Sequence, residues 1–106
     1  MTDALQASIA AIWQKSIPQT RERLAILQRA ADDLANSRTI DPEQRAEALS
    51  IAHKLAGSLG MFGFNDATEH ARAIELTLEN DGLPQPERLE KHVAALTACM
   101  QPRLES

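Results

Sequence analysis

Aromatic side chains are scarce here, at 3% of 106 residues, so any interior must be filled by Leu, Ile and Ala. Strand signals are nearly absent as well. No stretch alternates apolar and polar residues for long, no Asn-Gly hairpin occurs, and β-branched residues are scattered, which disfavours sheet-built folds. Clustered Lys and Arg interleaved with stacking aromatics are missing, and the formal charge is −4, so no nucleic-acid partner is expected. No apolar run is long enough to span a bilayer and no leader pattern opens the chain. No membrane association is therefore expected, and the location expected is cytoplasmic. The single cysteine, Cys99, cannot form an internal disulfide and lies in an apolar helical stretch, where it reads as a buried structural thiol. His70 and His92 have no Cys or carboxylate cluster at ligand spacing, so they read as surface residues and no metal is expected. With no Gly-rich phosphate loop after a strand and no Ser-His-Asp arrangement, neither ATP binding nor hydrolysis within this chain is expected, and no cofactor is expected.

What the chain does have is helical spacing. Leu5, Ile9, Ile12 and Trp13 predict a first helix ending before Pro18, with Trp13 covering one end of the core. Leu24, Leu27, Ala31 and Leu34 predict a second that fades at "NSRT", the charges of "TRERLAILQR" forming its solvated side. Asp41 as cap, Pro42 in the first turn and Gln44 completing a capping box open a third, whose seam is Ala48, Ala52, Leu55, Leu59 and Phe62. Gly63 suits its left-handed end. Asp66 with Glu69 forms a second capping box, opening a fourth helix through Ala67, Ala71, Ile74 and Leu78 that Gly82 stops. Pro86 then starts a last helix along Leu89, Val93, Leu96 and Met100, ending before Pro102. The expected fold is all-α: one domain over residues 1–106, an antiparallel up-and-down four-helix bundle with an additional N-terminal helix.

The stretch "AHKLAGSLGMFGF", residues 52–64, puts three glycines and a histidine into the third helix. At about 100° per residue, His53 points roughly 120° away from the apolar seam. Its own face carries Ser50 one turn before, Gly57 one turn after and Gly60 two turns after, with Ala56 alongside; all are small. Each helical glycine costs roughly 1 kcal/mol relative to alanine, so the pair represents about 2 kcal/mol, against the roughly 5–15 kcal/mol by which a domain is typically stable. Two explanations compete: close packing of another helix, or a surface cleared so that a partner's reactive group can approach the imidazole. Imidazole has an ordinary pKa near 6.5, and its neutral ring nitrogen is a competent nucleophile toward phosphorus.

The stretch resembles the phosphohistidine helix of histidine-containing phosphotransfer (HPt) domains, including the phosphotransfer domain of chemotaxis kinases. His53, Gly57, Ser58, Gly60, Phe62, Gly63 and Phe64 stand where that motif places its histidine, glycines, small residue and aromatic-Gly-apolar ending. The likeness continues into "ARAIE", aligning Glu75 with the carboxylate that orients the reactive imidazole in chemotaxis-type members. It implies that His53 is the phosphoacceptor and that Glu75, by taking the Nδ1 proton, leaves Nε2 free to attack. One residue departs from the pattern. Ala56 stands where the family usually has Lys, leaving Arg72 on the neighbouring helix, and less favourably Lys54, as phosphoryl-stabilising candidates.

The resemblance implies a phosphorelay protein of two-component signal transduction: a phosphocarrier rather than an enzyme, phosphorylated by a histidine kinase or a response-regulator receiver domain. Receivers would dock on the face of Ser50, Ala56, Gly57 and Gly60, and a monomer is expected. Two alternatives stay open. One is a binding module that sequesters a receiver or kinase without carrying phosphate; the other is a structural bundle whose glycines serve packing alone. The initial Met and polar "PRLES" ending favour a freestanding chain.

Overall fold

The Leu, Ile and Ala seams assemble into four helices in a computed structural model that describes residues 2–79 and 85–105. These are α1 (Thr2–Ser37), α2 (Pro42–Met61), α3 (Asn65–Glu79) and α4 (Pro86–Leu104). Among the described residues there is no strand. Helix α1 packs against α2 and α4, and α3 packs against the same two, so each helix has two neighbours around a shared core. Leu27, Leu55, Leu59, Ile74, Leu89, Leu96 and Met100 are fully buried there. Each such side chain contributes roughly 1.5–3 kcal/mol relative to exposure.

The helix expected to end before Pro18 and the one following it are a single helix of 36 residues, so there is no separate N-terminal helix among the described residues. A proline inside a helix costs about 3 kcal/mol relative to alanine. Here the continuation is held from both sides of exposed Pro18: Trp13 is buried before it, Thr20 and Leu24 after it. At 1.5 Å per residue α1 is about 54 Å long, against about 30 Å for the 20 residues of α2. The molecule is correspondingly elongated, 50 × 21 × 21 Å. Leu5, Ile9 and Ile12, expected as a buried seam, are exposed on the N-terminal turns of this long helix. Trp13 does cover one end of the core, with edge-on contacts to Phe62 and Phe64 at ring distances of 5.2 and 5.1 Å and its indole N–H donating to the Arg103 carbonyl at 3.3 Å.

Local signals behave unevenly. Asp41 caps α2, its carboxylate accepting from the Glu43 N–H at 3.4 Å, with Pro42 following. Gln44 does not complete the capping box: its amide donates to Asp33 at 2.8 Å, tying α2 to α1. Helix α3 begins at Asn65, so Asp66 sits within its first turn rather than before it. Gly63 has φ +79°, the left-handed conformation its position demands. The expected stop at Gly82 lies outside the described residues. Pro86 opens α4, which runs past Pro102 to Leu104, because Leu104 is itself buried and Arg21 donates to its carbonyl at 2.8 Å. No helix among the described residues is long and apolar enough to cross a membrane.

Candidate functional site

His53 stands on the outward side of α2 while its neighbours Ala52 and Leu55 are fully buried, so the helix is fixed and the ring projects from it. Its side chain is 79% exposed. Across the α2–α3 contact, Glu75 is presented by the helix that buries Ala71, Ile74 and Leu78, and its carboxyl group is only 18% exposed. Imidazole Nδ1 lies 2.8 Å from one Glu75 oxygen and 3.4 Å from the other. A carboxylate can only accept, so Nδ1 carries the proton; in the neutral ring Nε2 then holds the lone pair and faces solvent. The pair therefore combines one anchored ring nitrogen with a side chain that is otherwise open to solvent.

Beside the ring is an open depression of about 300 Å³ lined by His53, Ala56, Gly57, Arg72, Glu75 and Leu76. Ser50, Gly57 and Gly60 are exposed, as expected of an approach face. Ala56 is not: it is 7% exposed and forms part of the wall toward α3. Three residues beyond His53 the helix has turned about 300°, toward α3, and a methyl group is too short to return to the surface. Lys54 is exposed but does not line the depression. Leu76, also exposed, was not singled out in the sequence; its only signal was its place next to Glu75 on an otherwise polar helix face.

The glycines are not needed for packing within the chain at this face. A methyl group at Gly57 would meet nothing within 4 Å, and one at Gly60 would make only ordinary contact with the Thr68 side chain, at 3.6 Å. Farther along, Cys99 is half-buried rather than buried, its thiol donating to Asp66 at 3.1 Å. Arg103 pairs with Asp66 at 3.0 Å, bonds the Cys99 sulfur at 3.1 Å and lies over the Phe64 ring at 4.5 Å. Hydrogen bonds from Cys99, then from the Ala67 N–H and Arg103, hold the Asp66 carboxyl down to about 2, while burial and the adjacent Asp66 carboxylate push the Cys99 thiol up. His92 is lowered by burial and by neighbouring Lys91, His70 and Arg88. No three His, Cys, Asp or Glu side chains come together as a metal site among the described residues.

The model of the Hpt domain family matches residues 11–102, which span all four helices and include the His53–Glu75 pair. The chain belongs to the Hpt domain family. Protein RcaC from Microchaete diplosiphon is 33% identical over 89 residues, 84% of this chain but 14% of RcaC, so this Hpt domain spans only a small part of the length of that relative. No solved structure gave a significant match. Members of the family serve histidine phosphotransfer in two-component signalling, interacting with receiver domains and histidine kinases, and are phosphocarrier modules rather than enzymes in general.

Proposed function

We propose that this Hpt domain carries a phosphoryl group on Nε2 of His53 within a phosphorelay, taking it from a histidine kinase or a receiver aspartate and passing it to another receiver. The observation that carries this reading is the exposed imidazole whose Nδ1 is bonded to the half-buried Glu75. In transfer from an aspartyl phosphate, the Nε2 lone pair forms the N–P bond as the P–O bond to the aspartyl carboxyl breaks, the electron pair leaving with that carboxylate. The ring keeps its Nδ1 proton and becomes cationic, and the Glu75 carboxylate offsets that charge. The receiver approaches over Ser50, Gly57 and Gly60, with Ala56 behind them, where the absence of side chains lets two backbones come close. The same reading takes residues 1–106 as one monomeric, cytoplasmic, antiparallel bundle that binds neither nucleic acid nor membrane.

The test is transfer from a panel of phosphorylated receiver domains to wild type, His53→Gln and Glu75→Ala. Wild type should gain an acid-labile, base-stable phosphate, and His53→Gln none. Glu75→Ala should transfer on the order of 10²-fold more slowly, the range typical of a lost orienting or acid-base partner. Label on His53→Gln, or none on wild type from any donor, would overturn the reading. One observation favours a second reading: with Ala56 in place of a lysine, α2 itself brings no cation into the depression. A domain that only sequesters receivers would bind them equally well as His53→Ala and show no transfer as wild type.

A further inference from the structure

Phosphorylating His53 would put a strongly negative group into a depression that already contains the Glu75 carboxylate. Two anions sharing one depression disfavour one another unless a cation joins them. Of the six residues lining the depression, Arg72 alone is permanently cationic. It is exposed, and among the described residues it makes no hydrogen bond or ion pair. This contrasts with Arg21 and Arg38, whose guanidinium groups are engaged by the Leu104 carbonyl and by Glu87. Glu75 follows Arg72 by one helical turn and would be its natural partner, but its carboxylate is turned to the His53 ring instead. The small, buried Ala56 puts no side chain across the space between the two helices' functional groups.

We infer that Arg72, reaching from α3, holds the phosphoryl group carried by His53 on α2, supplying from the neighbouring helix the charge that Ala56 does not. The inference rests on the phosphocarrier reading and adds the group that makes the site accept an anion. The guanidinium fork offers two parallel N–H donors to phosphoryl oxygens, and Glu75 remains on Nδ1, the opposite nitrogen from the one that reacts. Lys54 has no part in this, since its side chain starts about 100° around α2 from His53 and does not line the depression.

Phosphoramidate, a small donor that needs no protein partner, tests the assignment. Nε2 forms the N–P bond while the P–N bond of the reagent breaks and its electron pair departs with nitrogen as ammonia. Loading is followed by intact mass and by phosphorus NMR in wild type, R72A, R72K, K54A, H53Q and the double variant A56K/R72A, with thermal melts to check folding. Wild type should load and H53Q should not. R72A should load about 3- to 5-fold more slowly, the scale of a solvent-exposed ion pair. R72K should recover part of the rate, K54A should match wild type, and A56K/R72A should regain the loss by bringing a cation from α2. Raising the salt should slow wild type toward R72A and change R72A little, which a purely structural role of the side chain would not produce. Equal loading and equal salt dependence in wild type and R72A would overturn the inference while leaving the phosphocarrier reading standing. Failure of wild type to load would overturn both.

Discussion

A glycine in a helix is usually a weakness, and Gly57 is one that nothing inside this molecule requires. A Cβ there meets open space, so Gly57→Ala should raise stability by about 0.5–1 kcal/mol through helix propensity and a less flexible unfolded chain. The same methyl group stands beside His53, and transfer with a receiver should slow severalfold. Thermal melts and transfer rates on one preparation check both halves; a variant that is both more stable and fully active would remove the docking role of this face. At this scale His53 was legible from its outward place on α2, and Glu75 only through family likeness. No spacing rule joins residues 22 positions apart, and their 2.8 Å contact exists because α2 and α3 pack side by side. Ala56 shows the converse: its position on the wheel was legible, its burial was not, because that depends on how closely α3 approaches.

Helix seams repeat every three or four residues, and that period survived in α2, α3, α4 and the C-terminal half of α1, though not at Leu5, Ile9 and Ile12: Leu24, Leu27, Ala31 and Leu34 are buried on α1, and Leu89, Val93, Leu96 and Met100 on α4. Helix ends were less legible. Pro18 reads locally as a terminator, yet α1 passes through it, because packing before and after the proline outweighs the one backbone donor it lacks. Pro18→Ala should therefore stabilise the protein, by up to about 3 kcal/mol, without altering the fold. Urea unfolding checks this through a higher midpoint at unchanged slope; a lower midpoint would mean that the proline's rigidity contributes more than its missing hydrogen bond costs. Gln44 and Asp66 were assigned to capping boxes by pattern, and both found longer-range partners, Asp33 for the first and Cys99 with Arg103 for the second. A short polar side chain bonds whatever the tertiary structure brings nearest, so a capping pattern marks a helix start more reliably than it assigns the bond.

Across the whole molecule, the end capped by Trp13 is tied together by charge as well as by rings. Asp66 on α3 binds Cys99 and Arg103 on α4, Arg103 covers Phe64, and the Arg103 carbonyl receives the indole N–H from α1. The Asp66 carboxyl is held at about 2, below its ordinary 3.8, first by Cys99 and then by Ala67 and Arg103. A depressed folded-state value means that the ionised form favours folding. Its contribution is complete above about pH 4 and is lost as the pH falls through about 2. Asp66→Asn should accordingly melt at a lower temperature than wild type at pH 6–7, and the difference should shrink on acidification and close near pH 2. A difference independent of pH would assign the effect to packing instead.

Residue order alone was enough for an all-helical chain, for the apolar stripes of α2, α3, α4 and the C-terminal half of α1, and for the outward direction of His53, because all three follow from the 100° advance of a single helix. The length of α1, the partners of Asp66 and Gln44, the burial of Ala56 and the shape of the depression that His53, Glu75 and Arg72 line came only with the packed bundle. Each of these depends on the distance between helices. A helix carries no information about that distance until its neighbour is in place.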